Sequence, residues 1–230
     1  MKIAIMGAMH EEIAPILEKV GEYKTTKYAG NIYYEAKYNG VDLVIAYSKI
    51  GKVFSTLTAT TMCEHFGAKK LLFSGVAGAI SEKLKVGDLI VATKLAQHDL
   101  DITAFGHPFG YVPEGAVYVE ADKELIDLSK EVAKEMGKSV QEGIIATGDQ
   151  FVADEKRKNW IGEKFGADAL EMEGASVAVV CDALDVPFFI LRAISDAADM
   201  DASFSFDEFL ETSAVESAEF IMKMVDKLVD

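Results

Sequence analysis

Short apolar runs rich in β-branched residues alternate along this chain with longer stretches in which apolar positions recur every three or four residues. The runs KIAIMGAM, VDLVIAYS, LLFSGVAG, DLIVATKL, VQEGIIAT and VPFFILRAIS read as strands. Several are apolar on consecutive residues, as strands covered by helices on both faces must be. The periodic stretches predict helices over 11–19, 52–66, 122–136, 154–165, 173–184 and 206–229, the last opening on Phe206, Phe209, Leu210 and Ser213. The alternation predicts an α/β fold with a central mixed β-sheet flanked by helices. No Pro/Gly/Ser-rich linker or internal repeat divides the chain, so residues 1–230 are expected to form a single domain.

Composition narrows the function. Half of the 230 residues are hydrophobic, 27% are charged and only 4 are proline, enough apolar material for a sizeable core. Lys and Arg number 23 against 38 Asp and Glu, a formal charge of -15 that repels phosphate backbones and anionic lipid at long range. Neither nucleic acid nor membrane is an expected partner. The two cysteines, Cys63 and Cys181, lie in apolar helical contexts without CxxC spacing, which predicts buried free thiols and fits a reducing cytoplasm. Near the N-terminus the apolar run Ile3–Met6 meets His10-Glu11-Glu12 too soon for a signal-peptide core or a membrane span.

In sheets of this class ligands gather beyond the carboxyl ends of strands. Four segments there stand out: Gly7–Glu12, Ser74–Ala79, Glu171–Ala175 and Arg192–Asp196. The glycines of SGVAGA suit either close approach of a ligand to backbone or a tight strand-to-helix turn, and the segment is neither GxGxxG nor a Walker loop. The carboxylates carry more information. Glu12 opens a helix, where a negative charge complements the dipole. Glu171 and Glu173 flank Met172 between apolar stretches, and Asp196 follows an apolar strand directly; burying an unpaired carboxylate is costly, so each needs a partner, a helix to cap or a chemical task.

Several carboxylates at separate strand ends point to acid/base or ribose-binding work. His10, His65, His98 and His107 show no metal-ligand spacing and read as surface or packing residues; no metal is expected. Ser74 and Ser195 lack a GxSxG context. The only arginines are Arg157, in the charged helix EKRKNW, and Arg192, at the end of a buried-looking strand, whereas a site for free phosphate wants several guanidinium forks. Water is the expected attacking group.

Taken together, GAMHEEI, SGVAGAI, KVGDLIVA, HDLDITAFGHP, ATGDQFV, ALEMEGASVA and RAISDAADMDASFSFDEF resemble bacterial 5′-methylthioadenosine/S-adenosylhomocysteine nucleosidase, in order and over nearly the whole chain. The resemblance implies a nucleoside phosphorylase-like three-layer fold, a homodimer, and hydrolysis of the adenine–ribose bond of 5′-substituted adenosines with no cofactor. By the same resemblance Glu12 handles the attacking water, with Arg192 near it, and Asp196 protonates adenine N7, its carboxyl held by Ser195. Glu173 matches the ribose-binding glutamate and Met172 the methionine under the sugar, while Phe151 and Val152 fall where adenine is stacked and read. Met9, Ile50 and Phe206 match the wall around the 5′ substituent, and Ile102, Phe105 and Pro113 match residues supplied by the neighbouring subunit. The chain departs from many members in carrying Val76 in place of serine, which removes one polar contact near the water.

Two other readings share the scaffold: a purine nucleoside phosphorylase, which Glu12 and the scarcity of arginine oppose, and a non-catalytic adenine-nucleoside binder, which has no need of both Glu12 and Asp196. SKIGK at 48–52, SGVAGA with Val76, and GDQF further resemble the variant that also cleaves 6-amino-6-deoxyfutalosine in bacteria making menaquinone.

Overall fold

The structure, a computed structural model, describes residues 1–196 and 202–229, with side chains from residue 209 onward in the second segment. Its elements run β1 (Lys2–Gly7), α1 (His10–Val20), β2 (Tyr23–Tyr28), β3 (Asn31–Tyr38), β4 (Val41–Tyr47), α2 (Lys52–Thr60), β5 (Lys70–Ala79), β6 (Leu89–Gln97), β7 (Tyr118–Glu120), α3 (Lys123–Glu135), β8 (Val140–Thr147), α4 (Glu155–Phe165), β9 (Ala169–Glu171), α5 (Gly174–Ala183), β10 (Phe188–Asp196) and α6 (Ala202–Lys227). The alternation predicts the order well. Asp122 and Asp154 cap α3 and α4, accepting from the Leu125 and Arg157 amides at 2.9 Å in both cases. The helix expected over 52–66 is α-helical to Thr60 and finishes in a π-helical turn, Thr61–His65. The last helix begins at Ala202, four residues ahead of the expected start.

The ten strands form one mixed sheet, and part of it closes on itself. β5 pairs in parallel with β1 through Lys70–Phe73 and with β10 through Leu71–Gly78, then antiparallel with β9 at Gly78 and Ala79. β10 pairs antiparallel with β6, β6 runs parallel to β8, and β8 runs parallel to β9. The circuit β5–β10–β6–β8–β9 therefore returns to β5, and β1, β4, β3 and β2 extend from it as an open sheet.

Helices cover both faces. Ile13 and Ile16 of α1, Leu125 and Val132 of α3, and Phe220 and Ile221 of α6 bury one side of the sheet. Ala59 and Met62 pack with Val177, Ala178 and Cys181 of α5 on the other. Cys63 and Cys181 are free and buried there, their thiols hydrogen-bonded to each other. α4 seats Ile161 and Phe165 on Ala146 and Leu170, closing a third cluster. Among the described residues no helix is long and apolar enough to cross a membrane.

Candidate active site

β1 ends at Gly7, and the chain turns at once into α1. A Cβ on Gly7 would lie 2.9 Å from Ile13 Cγ2 and 3.0 Å from Glu12 Cβ, so only glycine lets the first turn fold back this closely. Glu12 then reaches the unpaired amides at the helix start: Oε2 accepts from Ala8 N at 2.5 Å and from Met9 N at 3.0 Å. Its other oxygen accepts from Val76 N at 3.3 Å, across on β5. The carboxyl caps the helix and also faces the sheet. Burial raises its pKa above 4.5, opposed by the Arg192 charge and these backbone donors.

SGVAGA is not a turn, as the sequence left open, but strand throughout, and neither Gly75 nor Gly78 has a positive φ. Gly75 is needed for space. A Cβ there would meet Glu12 Oε1 at 2.9 Å and Arg192 Nη1 at 3.2 Å. Arg192 is fully buried, its guanidinium 4.0 Å over the Phe73 ring and its Nη2 donating to Glu171 Oε2 at 2.6 Å. It stands behind the cavity wall and acts on Glu12 through its charge.

Glu171, to which the sequence assigns no role, is the hub of this wall. Its Oε2 also accepts from Glu173 N at 3.2 Å and Gly174 N at 2.7 Å at the start of α5, and its Oε1 accepts from the Thr147 hydroxyl. Thr147 Oγ1 in turn accepts from Ala175 N at 2.8 Å. A buried ion pair left with one member costs about 3–5 kcal/mol. In the sequence Glu171 and Arg192 are two charges in separate apolar stretches; the fold brings them together because β9 and β10 both pair with β5.

Glu173 does not cap α5 with its side chain; Oε1 accepts from Gly51 N at 2.8 Å. Burial, reinforced by the Glu171 charge, pushes its pKa up to about 8. Below the unfolded value of 4.5 both states hold the proton and no stability is lost, whereas rising pH ionises the unfolded chain first, so stability falls between 4.5 and about 8. Glu173→Gln is accordingly expected to leave the melting midpoint unchanged near pH 4.5 and to raise it near pH 8. A gain of 1 kcal/mol corresponds to about 2–4 °C in a chain of this size. Equal shifts at both pH values would contradict the assignment.

β10 ends in a bulge: Ile194 pairs with Ala77 and Asp196 with Gly78, leaving Ser195 as the extra residue. The bulge breaks the alternation, so Ser195 and Asp196 both line the cavity. Asp196 is thus a strand residue rather than a helix cap. Ser195 Oγ donates to Asp196 Oδ2 at 2.8 Å and lies 3.4 Å from Ala77 O.

These groups surround a cavity that opens to solvent at the carboxyl ends of β1, β8, β9 and β10 and along Val76–Gly78 of β5. Met9, Glu12, Ile50, Phe151, Val152, Met172, Glu173, Ser195 and Asp196 all line it. Arg192 lies behind it. Ile102, Phe105 and Pro113 sit between β6 and β7 and do not line this chain's own cavity; Phe105 is 80% exposed. The Phe206 side chain lies outside the described residues. Val76 contributes its amide to Glu12, a contact independent of its side chain.

The chain matches the family described as the Phosphorylase superfamily over residues 2–229. An aminodeoxyfutalosine nucleosidase of Campylobacter jejuni is 59% identical over 228 residues, 99% of this chain and 100% of that protein. A 5′-methylthioadenosine/S-adenosylhomocysteine nucleosidase of Haemophilus influenzae is 37% identical over 229 residues, 99% of this chain and 100% of that one. The native structure of futalosine hydrolase of Helicobacter pylori superposes with a TM-score of 0.97 at 51% identity, covering 98% of this chain and 97% of that chain. Identity of this order from end to end goes beyond a likeness of architecture, and the chain belongs to the phosphorylase superfamily.

Proposed function

We propose that this chain hydrolyses the N-glycosidic bond of 5′-substituted adenine nucleosides, 5′-methylthioadenosine, S-adenosylhomocysteine and 6-amino-6-deoxyfutalosine, releasing adenine. The observation that carries the reading is a pair of carboxyls on one largely apolar cavity, Glu12 entering from a helix start and Asp196 from a bulged strand end. Adenine leaves poorly as an anion. Asp196, its carboxyl fixed by Ser195, gives its proton to adenine N7 as the C1′–N9 bond breaks and the ribose becomes oxocarbenium-like. Water adds its oxygen to C1′ from the other face, and its proton passes to Glu12, whose burial makes it a better base. Two carboxyls with opposed protonation demands divide the work as in glycosidases.

Glu173 binds the ribose hydroxyls, Met172 underlies the sugar, and Phe151 and the Val152 backbone take the base. A phosphorylase is disfavoured because both arginines are committed, Arg192 to Glu171 and Arg157 to His98, while Glu12 repels an attacking phosphate. Met9 and Ile50 form the wall at the 5′ side, and Ile50 is 55% exposed at the mouth. Such contacts discriminate weakly, about 1–3 kcal/mol per methylene, which supports a broad 5′ specificity. The nucleosidase names of the relatives support the substrate class. Parallel kcat/KM measurements on the three substrates test it: all are expected to be cleaved within about 100-fold of one another, and failure on aminodeoxyfutalosine alone would remove the menaquinone assignment.

A second copy of the chain completes the pocket. Exposed Ile50, Val53, Phe54 and Leu57 form an apolar face along the start of α2, and the loop carrying Ile102, Phe105 and Pro113 supplies apolar residues with no place in its own cavity. Sedimentation at nanomolar concentration is expected to find a dimer; a fully active monomer would contradict a shared site. Two buried free thiols suit the reducing cytoplasm as its location.

A further inference from the structure

One buried histidine stands where both ends of the base-facing segment meet. His98 follows β6 and is fully buried, and its amide donates to Thr147 O at 2.8 Å. Gly148 lies directly on the ring: a Cβ there would be 2.3 Å from His98 Cε1 and 2.5 Å from Nε2. The next residue is held as well, with Asp149 N donating to Asp99 Oδ2 at 2.8 Å and Asp149 Oδ1 accepting from Lys52 N at 2.7 Å. At the far end Arg157 returns from the first turn of α4. Its Nη2 lies 3.2 Å from His98 Nδ1 and donates to His98 O at 3.1 Å, with the guanidinium 4.3 Å over the Trp160 ring.

We infer that His98 is a positioning residue, clamping Gly148 at one end and Arg157 at the other so that Gln150, Phe151 and Val152 are held ready against the base. The inference rests on the reading of that cavity as an adenine site. Arginine can only donate, so Nδ1 accepts and the ring proton sits on Nε2, a neutral tautomer. Burial favours the same state, pushing the pKa down to about 4 despite the nearby Asp99 charge. The imidazole is therefore a fixed acceptor throughout the working range and takes no part in proton transfer. The ring's shape and its single acceptor are both used, which a surface or generic core histidine does not require.

The test compares His98→Ala, the acceptor-keeping His98→Gln, and Arg157→Met, which leaves the imidazole in place. Hydrogen exchange is expected to accelerate at amides 148–153 in His98→Ala and Arg157→Met while β1, β5 and α6 keep their protection. Loosening the segment before binding is expected to raise KM for methylthioadenosine about tenfold with kcat within about threefold. His98→Gln is expected to restore most of the affinity through its side-chain carbonyl. If kcat falls with KM unchanged, or exchange rises uniformly, the clamp is refuted; if His98→Ala does not fold, Arg157→Met decides alone. Failure of the wild type to cleave any nucleoside would refute the adenine reading, while the exchange pattern would still decide the clamp.

Discussion

Asp196→Asn is expected to fold normally, bind nucleoside and lose about 100-fold or more of its turnover, the range in which general acids contribute. The amide nearly conserves shape, and its oxygen can still accept from Ser195 Oγ, so the bulge that turns the side chain into the cavity survives. What the amide cannot do is hand a proton to N7. Uncoupling is therefore the signature: the dissociation constant for methylthioadenosine stays within a few-fold and the melting midpoint barely moves, while single-turnover adenine release collapses. Near-normal release would remove Asp196 from the role of acid.

Glu12→Gln carries the second large effect. The carboxylate accepts from three amides, those of Ala8, Met9 and Val76, and a glutamine has only one accepting oxygen. If the oxygen keeps Ala8 and Met9, the side-chain NH2 faces the Val76 amide, a clash of donors. Leaving a buried donor unsatisfied costs about 1–3 kcal/mol, partly offset because the neutral amide avoids the burial penalty that raises the Glu12 pKa. Turnover is expected to fall about 100-fold or more, since an amide cannot take the proton of water. The wild-type rate is expected to fall on acidification as Glu12, its pKa raised by burial, takes up a proton, and this acid limb is expected to be absent from the variant. A variant changed chiefly in KM would make Glu12 a binding group instead.

The legible strands were those buried on both faces. β1, β4, β5, β6, β8 and β10 announce themselves as apolar runs, whereas β2, an edge strand with Tyr and Lys exposed, and β3 beside it, mostly half-buried, give no such signal. Their turns are nevertheless specified locally, by Ala29-Gly30 and Asn39-Gly40, all four with positive φ. Closure of the circuit is a non-local property: it depends on β5 being long enough to change partners from β1 to β9, which no pattern within a single run reveals. The site divides in the same way. Glu12, Glu173 and Asp196 stand out as carboxylates beside apolar runs, but Glu171 acquires its meaning only when β10 brings Arg192 to it. The glycines of SGVAGA left a turn and a close approach both open because glycine signals conformational freedom as well as lack of bulk, and here Gly75 is used for the second. Four histidines looked alike in sequence, and burial against Gly148 and Arg157 singles out His98.

In the proposed reaction water, activated by Glu12, cleaves an adenine nucleoside protonated by Asp196. That reaction is tested most directly by incubating the protein with methylthioadenosine in phosphate-free buffer made with ¹⁸O-labelled water. Hydrolysis gives full-rate release of adenine and one ¹⁸O at C1 of the methylthioribose product, with no change when phosphate is added. Release that requires phosphate and yields a ribose 1-phosphate would contradict it.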